Sequence, residues 1–401
     1  MQRYSLVVFI LGALATIGPL SIDAYLPAFP AIGHAFGAAP GVVQQTLSGY
    51  LFAYALMSLF HGTLSDSFGR RPVILTSLVL YIAGSLCAAF APGLSWLILG
   101  RVVQGLSAGA GMIVGQAIVR DMFTGARAQR TLSYIMMVFG VSPALAPIAG
   151  GWLSVYLGWR SVFFVMTAIA LATCLACWRY QAETLPAARR QPFTLRAIAG
   201  HYGAIFRHRQ FMLLSLSFGF TFGGFAFFIG AAPNFVIDVL HLPETAFGWL
   251  FVPLVIGMMS GSWCATRLSR AYPAALLIGA GFALMGISCL GNLGYTLLAT
   301  PAVPWAVAPV MVFTFGLALA APSMMMRILD LVPERAGMGA SVLSFVQMVL
   351  FSVVTGVFVP LTYGSAFRMA LGVGSGFLVS CVGWYSSGRA GATRGEYAAR
   401  H

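Results

Sequence analysis

"HGTLSDSFGRRPVIL", residues 61–75, is a short polar break between two long apolar runs. It holds Asp66, Gly69, Arg70, Arg71 and Pro72 within seven positions. The runs on either side are part of a wider pattern. Of 401 residues, 59% are hydrophobic, 8% are charged, and the mean hydropathy is +0.89. Soluble domains carry about 25% charged residues. No soluble core hides this much apolar surface, so the solvent is lipid. A hydrocarbon layer about 30 Å thick takes roughly 20 apolar residues per helix. Stretches of that kind fall at about 5–30, 42–61, 72–92, 94–116, 131–155, 160–178, 211–233, 245–265, 273–297, 303–326, 338–360 and 364–386. They predict an all-α integral membrane protein with twelve transmembrane helices, numbered here as spans 1 to 12. Strands of a transmembrane barrel would be about ten residues long and alternating, and these runs are neither.

The charges orient the chain. All 22 basic residues are arginine. Except for Arg101, Arg160 and Arg368, they lie at the termini or in the even-numbered gaps between spans. The positive-inside rule then predicts that both termini are cytoplasmic. It also accounts for the net charge of +13. Arginines spread over many short loops make no nucleic-acid groove, so no nucleic-acid partner is expected. Span 1 is too long for a cleaved leader and carries Asp23, Pro27 and Pro30, so it is read as retained. Cys174 and Cys177 have CxxC spacing, but they sit in an apolar run without a second pair.

Residues 179–210 form the one long polar stretch. It divides the chain into a six-helix bundle (1–178), a basic cytoplasmic linker with a candidate surface helix (179–210), a second six-helix bundle (211–386) and a cytoplasmic tail (387–401). The halves look like repeats. "GRRPVIL" opens span 3 and "RAYPAAL" opens span 9 about half the chain later. Pro27 and Pro233, and Arg120 and Arg327, are separated by similar distances. Two parallel repeats about an axis normal to the membrane are a transporter architecture.

Two ionisable residues lie well inside spans, Asp23 in span 1 and Arg101 in span 4. Such groups are costly in lipid and mark pathways or proton relays. Each lies about seven residues, or about 10 Å, below the outer end of its span. Equal depth permits a contact if the two helices face each other. Burial raises a carboxylate's pKa and a nearby arginine lowers it. Asp23 is therefore a candidate proton carrier and Arg101 its tuning partner, unless the two are a purely structural pair. Gln104, one turn beyond Arg101, is placed to hydrogen-bond there. Tyr50 and Tyr54, one turn apart on span 2, and Asn234, beside Pro233 on span 7, are candidate substrate contacts, although packing explains aromatic residues at this spacing equally well. The helix 7 phenylalanines, from Phe218 to Phe228, suit a small, largely apolar substrate.

Motifs narrow the reading. "GTLSDSFGRR" resembles the span 2–3 signature of the major facilitator superfamily, with Gly62, Leu64, Asp66, Gly69, Arg70 and Arg71 in place. "LGRVVQG" (99–105) resembles the helix 4 motif around a membrane arginine. "APIAGG" (146–151) resembles the helix 5 antiporter motif, with Pro147, Gly150 and Gly151 matching and Ala146 where glycine is usual. "SIDAYLPAFPAI", "QAIVRDMF", "GWRSVFF", "ETLP" and "LDLVPERAGMGASVLSFVQ" are similar to the bicyclomycin-resistance and chloramphenicol-efflux (Bcr/CflA) type of drug/proton antiporter. The resemblance implies a proton-coupled exporter working by alternating access. It implies that helices 1 and 4 meet at a central cavity, with an acid and an arginine at these motif positions. It also implies that Asp66, with Gly62, Gly69, Arg70 and Arg71, is a conformational latch meeting the N-terminus of span 11 near "AGMGAS" (336–341). A carboxylate at a helix N-terminus is favourable by about 0.3–1 kcal/mol. The coupling ion is a proton, no other cofactor or metal is expected, and the protein is expected to be monomeric. The chain has no lysine for a phosphate-loop motif and no catalytic cluster, which disfavours an ATP-driven pump and an enzyme. A major-facilitator metabolite carrier, either an exporter of amino acids or nucleosides or a proton symporter, is the open alternative.

Overall fold

A computed structural model of the chain describes residues 2–398. Met1 and residues 399–401, the end of the expected tail, lie outside the described residues. The helices are α1 (Gln2–Asp23), α2 (Phe29–Phe36), α3 (Pro40–Ser58), α4 (His61–Phe68), α5 (Arg70–Ala89), α6 (Leu94–Met122), α7 (Gly125–Leu157) and α8 (Arg160–Tyr180), then α9 (Leu195–Arg207), α10 (Arg209–Pro233), α11 (Gly248–Leu268), α12 (Ala274–Leu298), α13 (Ala308–Leu329), α14 (Ala336–Val353) and α15 (Ala366–Ala398). No strand occurs among the described residues. In lipid every backbone group must be satisfied within the segment, and helices do this alone.

Eleven helices among the described residues are long and apolar enough to cross a membrane. The expected twelfth, span 2, is present as α3 followed by α4 but is not one of the eleven. α3 carries Gln44, Thr46, Ser48 and Tyr50, all buried, and that polarity dilutes the apolar signal. Large apolar side chains such as Phe9 (74% exposed) and Leu298 (90%) cover the outer surface, as a lipid solvent allows.

The chain forms two compact units. One comprises residues 1–194 with 232–252, the other 195–231 with 253–401. In the first, α6 is the hub, packed against α1, α3 and α5, while α8 closes on α5 and α7 on α1. Gly105 and Gly111 permit two of these approaches, because a Cβ on the first would overlap the Tyr50 carbonyl of α3 and one on the second the Leu14 carbonyl of α1. The prolines Pro143 and Pro147 lie inside α7. In the second unit α12 packs on α13 and α15. The boundary falls within the basic linker. Its second part is the amphipathic helix α9, whose buried Tyr202 and Ile205 face inward, while Phe206 meets Phe345 of α14 edge to face at 6.0 Å.

Candidate functional site

The most unusual side chain in the first unit is Arg101, on the hub helix α6. It is fully buried. Its guanidinium carbon lies 4.4 Å from the ring centre of Tyr25 and 4.4 Å from that of Tyr50. Nη1 donates to Gln104 Oε1 at 2.8 Å, and Gln104 Nε2 donates to Ser85 Oγ at 2.6 Å. Nε and Nη2 have no hydrogen-bond partner among the described residues. The two rings are themselves held. The Tyr25 hydroxyl pairs with Thr46 Oγ1 at 2.7 Å, and the Tyr50 hydroxyl donates to the Gly18 carbonyl at 3.2 Å. Behind them Ser21 of α1 bonds Tyr81 of α5. Four helices thus build one cage around a permanent cation. A desolvated cation–π contact is favourable by up to about 2 kcal/mol per ring. That offsets part of the several kcal/mol needed to bury an ion.

No Asp23–Arg101 ion pair forms among the described residues, so the contact that the sequence permitted is not made as an ion pair here. Asp23 is buried, at 4% exposure, and ends α1. Its carboxylate makes no hydrogen bond or ion pair among the described residues. α1 ends at Asp23, and the turn that follows it, not the helix, carries Tyr25 over the guanidinium. Asp23 is nevertheless the only buried carboxylate among the described residues.

Gln104, Tyr50 and Arg101 come together in this cage. Tyr54 is half-buried beside it, its ring 6.3 Å from that of Tyr50. Asn234 opens a π-helical turn, Asn234–Val239, and its amide donates to Asp238, so it is engaged locally rather than in the cage. The sequence reading overlooked Tyr25, Thr46, Ser21, Tyr81 and Ser85. The spacing of Asp23 and Tyr25 was the available signal.

The antiporter-motif residues lie on α7 against this region. A Cβ on Gly150 would overlap the Ala24 carbonyl, next to Asp23, and one on Gly151 would overlap the Glu244 carbonyl. Gly150 thus lets α7 press directly on the backbone next to Asp23, and Gly151 lets it press on the turn at Glu244.

A second constellation surrounds the opening motif. Arg70 is largely buried, and it bonds Asp66 four residues back and Asp121 of α6, with Nε to Asp121 Oδ2 at 3.0 Å. Its Nη1 also donates to Ser65 Oγ at 2.7 Å. The start of the linker is fastened to the same place. Glu183 accepts from the Arg70 and Arg71 amides at 3.0 and 3.2 Å and from the Thr184 and Leu185 amides at 2.9 Å each. Thr184 Oγ1 donates to Asp121 at 3.0 Å, the Gln191 amide to the Asp66 carbonyl at 3.1 Å, and Arg71 Nη2 to the Trp178 carbonyl at 2.6 Å. Glu183 is therefore an anionic cap on the N-terminus of α5, where the helix dipole favours it. Gly69 has φ +103°, a region favouring glycine, and a Cβ there would overlap Glu183. Gly62 is different. It sits in α4 with open space around it. Asp66 stays 43% exposed by side chain. Asp121 and Glu183 were quoted within motifs, but their bonds to residues far away in the sequence were not foreseen.

No group of three or more His, Cys, Asp or Glu side chains able to hold a metal occurs among the described residues. All six cysteines are free.

Residues 9–355 match the Major Facilitator Superfamily. A bicyclomycin resistance protein homolog of Haemophilus influenzae is 25% identical over 386 residues, covering 96% of this chain and 97% of that protein. An uncharacterized MFS-type transporter, YdgK, of Bacillus subtilis is 28% identical over 349 residues, covering 86% and 87%. Multidrug resistance protein D of Escherichia coli is 26% identical over 271 residues, 68% of each chain. Among solved structures, a bacterial homolog of the human lysosomal transporter Spinster superposes with a TM-score of 0.75 at 16% identity, over 96% of this chain and 97% of that one. The human organic anion transporter MFSD10 gives 0.72 at 15% identity, over 96% and 99%. Apolar helices, a hub helix with a caged arginine, the acid–arginine clasp at the opening motif and a match that spans most of the sequence agree: the chain belongs to the Major Facilitator Superfamily.

Proposed function

We propose that this protein is a proton-coupled exporter of small, largely apolar, drug-like compounds in a bacterial inner membrane, with both termini cytoplasmic. The observation that carries the reading is that one unit holds both a buried carboxylate, Asp23, and a buried, acid-free guanidinium, Arg101. Relatives named for bicyclomycin and multidrug resistance support the substrate class.

Asp23 takes a proton from the periplasmic side and gives it up on the cytoplasmic side, and substrate competes with that proton. Arg101 keeps a fixed positive field near it, held by Tyr25, Tyr50 and Gln104. Loss of the proton leaves a carboxylate that this field favours, while gain of the proton removes the attraction. Each step thus changes which packing of α1 against α6 is preferred. Asp66 is the latch of the cycle, and Arg70, Asp121 and Glu183 hold it in place. Tyr54 lies beside the cage as a substrate contact.

The test is transport in everted vesicles from a strain lacking its own exporters. Drug uptake should need a proton gradient and collapse with a protonophore. Uptake that survives the protonophore and requires ATP contradicts the reading. Uptake of amino acids or nucleosides with none of drugs selects the metabolite carrier instead.

A further inference from the structure

His61 opens α4 at the end of the opening stretch nearest the membrane. It is 1% exposed, and neither ring nitrogen makes a hydrogen bond of normal geometry among the described residues, although the Leu106 carbonyl of α6 lies close to the ring. A buried imidazole with both nitrogens unbonded is uncommon, since buried polar groups are nearly always paired. Its position is also ordered. Tyr50, Tyr54 and His61 follow one another at helical spacing down one side of α3 and α4. Opposite them α6 presents Arg101, Gly105 and Gly109, also one turn apart. At Gly109 a Cβ would lie 3.3 Å from both His61 Nδ1 and the Tyr54 ring. The bare face of Gly109 is what admits the two rings side by side. The seam therefore runs from Arg101 at one end to His61 at the other, over about 12 Å of α6.

The surroundings leave an imidazolium without a counter-charge. α3 contributes Tyr54, a neutral ring. α6 contributes the Leu106 carbonyl and Gly109, with Arg101 two turns away. On α5 and on α4 itself the charged groups are Arg70, Arg71 and Asp66; Arg70 bonds Asp66 and also Asp121, and Arg71 donates to the Trp178 carbonyl. No carboxylate bonds His61 among the described residues. This packing therefore holds the neutral ring only.

We propose that His61 is a proton-binding site distinct from Asp23, neutral while the seam between α4 and α6 is packed and protonated when that seam opens to cytoplasmic water. One proton adds to a ring nitrogen on opening and leaves from the same nitrogen on closing, so no other group changes. The seam then reads cytoplasmic pH. An imidazole in water titrates near about 6.5, so the ratio of open to packed forms rises about tenfold as pH falls from 7.5 to 5.5. Packing is favoured above that value and lost below it.

The test uses the full-length protein in nanodiscs. Deuterium exchange at the imidazole C2–H of His61, normalised at each pH to the exposed His201, gives a protection factor. Protection should fall about tenfold between pH 7.5 and 5.5. Amide exchange across residues 101–109 should show the same pH response in wild type and lose it in His61→Gln. A protection factor that does not change with pH overturns the proposal, even if the variant fails to fold. So does a pH response of the 101–109 amides that persists in folded His61→Gln. Neither readout depends on transport, so failure here is separable from failure of the export reading.

Discussion

Removing the charge of Glu183 should release the start of the linker from the opening motif. Its carboxylate accepts four backbone N–H groups, two of them from the first turn of α5. In Glu183→Gln the shape is kept, but the charge at the helix N-terminus is lost, at about 1 kcal/mol. That corresponds to about a fivefold rise in the undocked fraction of residues 183–193. In Glu183→Ala the Arg70 and Arg71 amides lose their protein acceptor, and water, which reaches this half-exposed site, replaces it. A loss of about 1–3 kcal/mol follows, or roughly five- to a hundredfold in undocking. Gly69, Phe193 and Gln191 then lose their register with α4, because Phe68 meets Phe193 at 5.9 Å and Gln191 bonds the Asp66 carbonyl only while the linker is docked. Two assays read this in purified protein. Amide exchange should quicken in residues 183–193 and in the first turn of α5, and trypsin should cut faster after the exposed Arg189 and Arg190. Alanine should exceed glutamine in both. A folded Glu183→Ala protein with wild-type exchange and cleavage would refute the cap.

Three further outcomes follow from the same contacts. Gly105→Ala sets a methyl against the Tyr50 carbonyl and Ala53; overpacking of this kind costs about 1–3 kcal/mol, and a thermal melt should show a Tm lower by several degrees. Arg101→Lys keeps the charge but not the planar fork that lies between two tyrosine rings and reaches Gln104, so drug efflux in vesicles should fall at least tenfold while expression and folding persist. Asp66→Asn weakens the ion pair to Arg70 and the proposed latch by about 1 kcal/mol, and cysteine accessibility at the two mouths of the transport path should shift several-fold between open forms; an unchanged ratio would leave Asp66 a local partner of Arg70 alone.

Much of the fold could be read because lipid makes a strict demand. A spanning helix must be continuously apolar, and eleven of the twelve expected runs appear as such helices. The second was blurred because Gln44, Thr46, Ser48 and Tyr50 turn inward on α3. The opening motif was legible as a polar clasp since Asp66 and Arg70 are four apart on the chain. Its outer partners, Asp121 and Glu183, were hidden because sequence spacing says nothing of which distant segments meet. At the cage, the sequence marked Asp23 and Arg101 as ionisable residues inside spans but not the turn that ends α1 at Asp23, and that turn carries Tyr25 over the guanidinium. Gln104 followed from the same helix as Arg101, and a one-turn spacing is enough to bring two side chains together.

Asp23 carries the central claim, because it is the one buried carboxylate among the described residues. Asp23→Asn mimics its protonated form without changing its bulk. The direct measurement is proton release on addition of a transported drug to purified protein in weak buffer, compared between wild type and Asp23→Asn. Wild type should release protons over a window of pH. The variant should release none, bind the drug still, and fail to move it uphill. Proton release of wild-type size from Asp23→Asn, with uphill efflux at the wild-type rate, would contradict the account.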